Sequence, residues 1–325
     1  MNIFKGWLAF IILNLAVGSC STPAKRKLPS HQVTFLNGSS NNKLEVLDWG
    51  GTGRPILFLP GLGNTAHVFD DFAPRFTDAF HVYGLTRRGF GSSIQTSEGY
   101  DTKTLSSDIL AIIDSLDLNK VILIGHSIAG NEISKFASSY PGRSEKVVYL
   151  DAAYDYASPA FGSLIANEPQ PPKATTEDSS SLEHLSNYFQ KVMGISFPED
   201  EWKQSFVFSK EGKYLKNLTP DSIPGAILKG VEHPDYVNIT CPALAIYAVQ
   251  TSAKKMLTFY EKLDSLEKMR SDTLVYSFRS FSNEEQARFK REVPDGTVKL
   301  LIDAKHAVFI SNPVETEKMI REFLK

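Results

Sequence analysis

The chain has 325 residues, of which 42% are hydrophobic and 22% are charged. That composition can build a large core and excludes a disordered or collagen-like chain. Its 35 basic and 37 acidic side chains give a net charge of −2, so the total charge shows no electrostatic footprint for nucleic acid. Two cysteines, Cys20 and Cys241, are too few for a disulfide scaffold or a cysteine-rich metal site.

The N-terminal segment places an apolar run, residues 7–17, behind Lys5. The run is shorter than the ~20 residues needed to cross a bilayer, but it has the length of the apolar part of a signal peptide. It ends in Val17-Gly18-Ser19-Cys20, which resembles the lipobox of bacterial lipoproteins. In that family the chain is cut before the cysteine, and the cysteine thiol carries a diacylglycerol.

The resemblance implies a signal peptide over residues 1–19, a lipidated Cys20 and a location in the bacterial cell envelope, facing the periplasm or the exterior. The expected partner is the membrane, through a lipid anchor at Cys20. Ordinary secretion and a buried helix are the other interpretations. Residues 20–30 contain prolines and adjacent basic residues without apolar periodicity, which predicts a tether.

From residue 31 onward, short β-rich runs alternate with helical periods, which predicts an α/β fold with a mostly parallel sheet covered by helices. Residues 33–35 and 44–49 are expected to form an opening antiparallel hairpin. Helices are expected near residues 105–116 and 129–139. Further strands are expected at residues 55–59, 80–85, 121–124, 147–150, 243–249 and 298–302.

The segment 155–238 has a different texture, with a proline- and serine-rich loop followed by short helical patterns and no strand run. We therefore expect a helical cap inserted after the sixth strand. The core would then consist of residues 31–154 and 239–325.

The sequence Ile122-Leu123-Ile124-Gly125-His126-Ser127-Ile128-Ala129-Gly130 places a serine between a buried strand and a helix. Small residues two positions before and after Ser127 suit a tight turn that exposes its hydroxyl. The segment resembles the nucleophile elbow of the α/β-hydrolase family, with Ala129 in place of the second glycine. The alternative interpretation is an ordinary serine at a helix N-terminus. His126 is expected to pack against the sheet.

Other segments extend this resemblance over nearly all of the predicted mature chain. Pro60-Gly61-Leu62-Gly63 is similar to the family's oxyanion loop, which implies that the Leu62 and Ile128 N–H groups form an oxyanion hole. Residues 86–92 are similar to a structural Arg-Gly-x-Gly-x-Ser segment of the family, although Thr86 stands where aspartate is usual.

A histidine and a carboxylate would complete the machinery. His306 follows the last predicted strand, where the family places its base, and it would take the proton of Ser127. No carboxylate occurs between Asp235 and Glu261, although most relatives carry the acid just after the strand that corresponds to residues 243–249. Some haloalkane dehalogenase relatives carry it after the strand that follows the nucleophile helix, which corresponds to Asp151. Asp155 is the alternative acid, and Asp303 is interpreted as a turn residue.

These residues predict a serine hydrolase that cleaves a carboxylic ester of a small-molecule acyl substrate through an acyl-enzyme. Thioester, amide or carbon–carbon bond hydrolysis would use the same residues. A non-catalytic surface lipoprotein on a hydrolase scaffold is the alternative from another class. The sequence contains no dinucleotide fingerprint, phosphate loop or metal-ligand cluster, so neither a cofactor nor a metal is expected.

Overall fold

The computed structural model describes residues 30–325. The predicted signal peptide, Cys20 and all of the predicted tether except its last residue lie outside the described residues. Within the described part, no helix combines the length and the apolar character needed to span a membrane.

A single eight-stranded sheet forms the centre of the fold, with strand order β1-β2-β4-β3-β5-β6-β9-β10. Strand β2 pairs antiparallel with both β1 and β4, and the pairings from β4 to β10 are parallel. The predicted mostly parallel sheet is therefore confirmed. The strands are β1 (Gln32–Asn37), β2 (Lys43–Gly50), β3 (Arg54–Leu59), β4 (Phe80–Leu85), β5 (Val121–His126), β6 (Ser144–Leu150), β9 (Ala243–Val249) and β10 (Gly296–Ile302).

Helices cover both faces of this sheet, and their apolar sides pack against the strands in two large clusters. Local sequence determines where several of them begin. The Asp101 carboxylate accepts the Thr104 N–H at the start of α1, and Asp264 forms a capping box with Glu267 at the start of α8. The helices of the core are α1 (Thr102–Ser115), α2 (Ala129–Ser139), α7 (Ala253–Met256), α8 (Ser265–Glu292), α9 (Val308–Ser311) and α10 (Pro313–Leu324).

The segment between β6 and β9 contains helices and a small hairpin. It comprises α3 (Pro159–Ala166), α4 (Leu182–Met193), α5 (Glu199–Ser205), β7 (Phe206–Phe208), β8 (Tyr214–Asn217) and α6 (Ser222–Lys229). The prediction of an all-helical cap was wrong in this respect, because β7 and β8 pair antiparallel. Helix α5 ends at Ser205 because Phe206 adopts an extended conformation, and Gly212 turns the chain at φ +85°.

This inserted segment has an aromatic core of its own. The Trp202 ring lies 4.9 Å from Phe189 and 5.8 Å from Phe206, measured between ring centroids. These three side chains are buried and belong to the same apolar cluster as Phe58 of β3 and Phe309 of α9. Helices α4 and α5 therefore pack within one of the two large clusters, whereas Phe161 of α3 and Ile223 and Ile227 of α6 belong to the other.

Candidate active site

Ser127 stands at a sharp turn between β5 and α2. Its φ is +54°, a conformation that costs a residue other than glycine on the order of 1–3 kcal/mol. The glycines on either side make the turn possible. A Cβ at Gly130 would lie 1.9 Å from the Ala152 carbonyl oxygen, and one at Gly125 would lie 3.1 Å from the Ile133 side chain. The close approach of α2 to the loop after β6 thus requires glycine at position 130.

The structure brings His306 and Asp151 together from the ends of two different strands. His306 follows β10, Asp151 follows β6, and the His306 Nδ1 atom lies 2.7 Å from Asp151 Oδ2. Both side chains are almost fully buried, with 6% and 3% of their surfaces exposed. A carboxylate in this position fixes the imidazole ring and favours the tautomer whose Nε2 can accept a proton.

Several hydrogen bonds fix the position of Asp151. Its Oδ1 accepts the Tyr154 hydroxyl at 2.6 Å and the Ala248 N–H at 3.1 Å. Its own N–H donates to the Ile246 carbonyl at 2.7 Å. Strand β9, which supplies no carboxylate of its own, therefore supplies backbone groups that hold the carboxylate from β6.

The structure places the other two candidate carboxylates in different surroundings. Asp155 accepts hydrogen bonds from His233 Nδ1 at 2.8 Å and from Arg288 at 2.9 Å. Asp303 accepts the N–H and the hydroxyl of Thr251 at 2.9 and 2.8 Å. Asp151, and neither of these two, forms the hydrogen bond with the His306 ring.

A solvent-open cleft with a cavity volume of about 30 Å³ lies over Ser127 and His306. Leu62 lines this cleft, and Ile128 directly follows Ser127. Within residues 30–325, neither the Leu62 N–H nor the Ile128 N–H donates to another protein group. Both predicted oxyanion donors therefore remain available to a bound substrate. The other lining residues are Gly61, Asn64, His126, Met193, Ile195, Phe197 and Ala307.

One site residue, His126, differs from the sequence-based expectation. His126 lines the cleft instead of packing against the sheet, and its Nε2 lies 3.2 Å from the His306 carbonyl oxygen. Burial, and then the nearby His306 charge, lower the pKa of His126 well below its ordinary value. The neutral ring therefore supports the His306 loop without adding charge to the site.

Tyr156 was missed in the sequence, although it follows Asp151 closely in the same loop. Burial and the Asp151 charge raise the pKa of Tyr156 well above its ordinary value, whereas a hydrogen bond with the Ser127 side chain acts in the opposite direction. Its hydroxyl also lies 3.3 Å from the Ala152 carbonyl oxygen. Tyr156 is thus a neutral hydroxyl beside the candidate nucleophile.

Glu201 connects the inserted segment to the predicted oxyanion loop. This fully buried carboxylate, on α5, accepts the Asn64 side-chain amide at 2.8 Å, the Thr65 N–H at 3.2 Å and the Thr65 hydroxyl. Burial raises the pKa of Glu201 to about 7 despite these donors. Because Asn64 and Thr65 directly follow the loop at residues 60–63, Glu201 holds one end of it.

Comparison with known families decides the wider assignment, because the model of the alpha/beta hydrolase family matches residues 56–318. The chain belongs to the alpha/beta hydrolase family. The matched region contains Leu62, Ser127, Asp151 and His306, together with the inserted segment. The α/β-hydrolase fold expected from the sequence is therefore confirmed.

Curated relatives of this α/β hydrolase match over a shorter region. A non-heme chloroperoxidase of Streptomyces lividans is 36% identical over 117 residues, which are 35% of this chain and 42% of that protein. A 2-(acetamidomethylene)succinate hydrolase of Mesorhizobium japonicum is 31% identical over 101 residues, which are 31% of this chain and 36% of that protein. The chain thus spans about two fifths of the length of these relatives.

Solved structures match over nearly the whole chain. The crystal structure of E-2-(acetamidomethylene)succinate hydrolase has a TM-score of 0.67 at 20% identity and covers 90% of this chain and 99% of its own. A membrane phospholipase A has a TM-score of 0.63 at 16% identity, covering 92% of this chain and 87% of its own. At these identities the likeness concerns the fold.

Proposed function

We propose that this α/β hydrolase cleaves a carboxylic ester of a small acyl substrate through an acyl-enzyme on Ser127. The observation that carries the proposal is the 2.7 Å hydrogen bond between His306 and Asp151, in a buried site whose cleft is lined by both His306 and Ser127. A serine is a weak nucleophile at neutral pH, and a buried imidazole oriented by a carboxylate is the arrangement that activates it.

The reaction follows from these positions. The Ser127 Oγ attacks the ester carbonyl while His306 Nε2 takes its proton, and Asp151 stabilises the imidazolium that forms. The Leu62 and Ile128 N–H groups donate to the oxygen that becomes negative in the tetrahedral intermediate. His306 then gives the proton to the leaving alcohol. A water molecule, activated in the same way, releases the acid and restores Ser127.

The cleft supports a preference for short and apolar acyl groups. Met193, Ile195 and Phe197, from the end of α4 and the loop after it, line the cleft together with residues of the core. Among the described residues that line this cleft, the polar side chains are those of Ser127, the two histidines and Asn64. Burial of methylene groups favours an alkyl chain, at ~0.8 kcal/mol for each group, and the small volume of the cleft limits the length of that chain.

The proposal is tested by the hydrolysis of p-nitrophenyl acetate and butyrate by the wild type and by Ser127→Ala. We expect the variant to lose nearly all of its activity and to remain folded, because removal of a single hydroxyl at a strained turn changes stability little. Ser138→Ala is the matched control on α2, where the Ser138 hydroxyl donates to the Lys135 carbonyl. A Ser127→Ala rate above a few per cent of the wild-type rate would refute the assignment.

Thioester, amide and carbon–carbon bond hydrolysis would use the same side chains, because fold and triad do not determine the substrate. A panel of matched acyl esters, thioesters and amides distinguishes these reactions by their kcat/KM ratios. The non-catalytic alternative requires that no carboxylate reach His306, and the contact with Asp151 argues against it.

A further inference from the structure

A second cluster of titratable side chains lies apart from the triad. His31 directly precedes β1. His67 lies in a short 3₁₀ helix, Ala66–Phe69, and Asp70 directly follows this helix. Asp70 Oδ1 lies 2.8 Å from His31 Nδ1, and Asp70 Oδ2 lies 3.3 Å from His67 Nδ1. The ligand atoms of the three residues all lie within 4.8 Å of one another. Two imidazoles and one carboxylate therefore converge on one small volume.

The groups around these three residues resemble those that hold and orient the ligands of a metal site. Asp70 Oδ1 also accepts the Trp49 Nε1–H at 3.0 Å. The other ring nitrogen of His67, Nε2, lies 3.7 Å from Glu45 Oε1, and Glu45 is itself held by the Thr86 hydroxyl at 2.6 Å. A histidine that binds a metal through one nitrogen characteristically directs the other toward a carboxylate.

The charge balance of the cluster favours a bound cation. Asp70 and Glu45 bring two carboxylates into a largely buried region, and His67 is only 3% exposed. Among the described residues, the ion-pair partners of these two carboxylates are histidines and include no lysine or arginine. A divalent cation would balance both carboxylate charges. The side chains of His31 and Asp70 are 14% and 15% exposed, so both are in contact with solvent, from which an ion would arrive.

We propose that His31 Nδ1, His67 Nδ1 and the Asp70 carboxylate bind a divalent transition-metal ion of the zinc type. Two imidazoles, one carboxylate and a water molecule form a donor set that suits Zn²⁺ in four-coordinate geometry. The site would tie the start of β1 to the segment that follows the predicted oxyanion loop. Its role is structural, because its ligands are not those of the triad. The sequence alone shows no such cluster, because His31 lies far from His67 along the chain.

The test measures metal binding and does not depend on catalysis. The full-length protein is stripped of metal and titrated with Zn²⁺ by calorimetry and with Co²⁺ by visible absorption. We expect one equivalent of each ion to bind, a rise in Tm with Zn²⁺, and the visible bands of cobalt in a four-coordinate site. His31→Ala and Asp70→Asn should each weaken Zn²⁺ binding by more than about 100-fold, because each removes a direct ligand.

His81→Ala is the matched control, because His81 Nε2 lies 2.9 Å from Asp48 Oδ1 in a comparable histidine–carboxylate pair outside the cluster. This variant should bind Zn²⁺ with the wild-type stoichiometry and affinity. The proposal is overturned if the wild type shows no saturable one-to-one binding, which would indicate a cluster held by protons alone. It is equally overturned if the two ligand variants bind Zn²⁺ as tightly as the His81 variant.

Discussion

The Asp151 carboxylate is held on one oxygen by Tyr154 and the Ala248 N–H, and it presents the other oxygen to His306. This division of roles means that the carboxylate keeps its position when the imidazole becomes charged. An amide in its place would offer either a donor or a weaker acceptor to the ring. The proposed mechanism therefore makes a sharp prediction at this residue.

Asp151→Asn should lower kcat by orders of magnitude, approaching the roughly ten-thousand-fold loss found when the acid of a serine protease triad is replaced. Steady-state kinetics on a short acyl ester, with circular dichroism to verify folding, provide the measurement. Asp155→Asn and Asp303→Asn are the controls and should each cost far less. A comparable loss in the Asp155 variant would contradict the assignment of Asp151 as the acid of the triad.

The buried Lys305, next to His306, should make the stability of the folded protein depend on pH. The residue is 4% exposed, and burial lowers the pKa of its amine to about 7, with opposing influences from Asp303 and Lys255. Between pH 7 and the ordinary lysine value near 10.5 the folded state binds fewer protons than the unfolded state. The free energy of unfolding should therefore rise with pH across this interval, and below pH 7 the folded state carries the full cost of the buried charge.

Lys305→Met should accordingly stabilise the protein at pH 6, by about 2 kcal/mol or more, and the gain should shrink toward zero near pH 10. Urea unfolding of both proteins at pH 6, 8 and 10 gives the difference directly. Lys255→Met, at a side chain that is 44% exposed, is the control and should show little change. A constant difference at all three pH values would contradict this account of Lys305.

At the residue scale, the sequence was informative wherever function depends on a local pattern. Small residues around Ser127 predict a tight turn there, and Asp151 was located from its place at the end of a predicted strand. The structure brings Asp151 into contact with His306. The catalytic roles themselves remain predictions. The neighbours of Tyr156 depend on the path of a loop at the sheet edge, and those of His31 depend on packing between residues far apart in the sequence. The sequence analysis therefore missed both residues.

At the scale of elements, Glu201 makes α5 a support for the oxyanion loop. Glu201→Ala leaves the Asn64 amide and the Thr65 N–H without their acceptor, and the Leu62 N–H can then leave its position. Because oxyanion donors act mainly in the transition state, kcat should fall by about tenfold or more while KM changes little. The number of active sites is first counted by labelling with a fluorophosphonate until the reaction is complete. A kcat calculated per active site then separates this effect from partial unfolding.

Asp200→Ala is the matched control for Glu201, because Asp200 lies on the same helix with a side chain 56% exposed. It should keep the wild-type kcat. If the Glu201 variant instead raises KM and leaves kcat unchanged, the carboxylate shapes the substrate cleft and does not position the oxyanion loop.

The strands of the sheet were predictable because each is a short apolar run that ends in a turn signal. The hairpin of β7 and β8 was not, because the sequence Glu199–Ser205 and the aromatic residues after it continue a helical pattern. Phe206 leaves the helix because its ring packs against Trp202 and Phe189 in the aromatic core. Tertiary packing thus overrides local periodicity in the inserted segment.

At the scale of the whole molecule, we propose that the hydrolase is exported and held on a membrane through a lipid on Cys20. The proposal rests on the resemblance of residues 17–20 to a lipobox. Cys20→Ala should move the protein from the membrane fraction to the soluble fraction, because it removes the thiol that would be acylated. More than one acyl chain is expected, since a single chain binds only marginally. Equal partitioning of both proteins into detergent would refute the anchor.

The central claim is that Ser127 is an activated nucleophile, and covalent labelling measures this most directly. The purified protein is treated with a fluorophosphonate, and the adduct is located by mass spectrometry of its peptides. We predict one adduct, on Ser127, that is absent from Ser127→Ala and forms far more slowly in His306→Gln, because the base is then lost. No adduct on the wild type, or labelling of Ser127 at an equal rate in His306→Gln, would contradict the account.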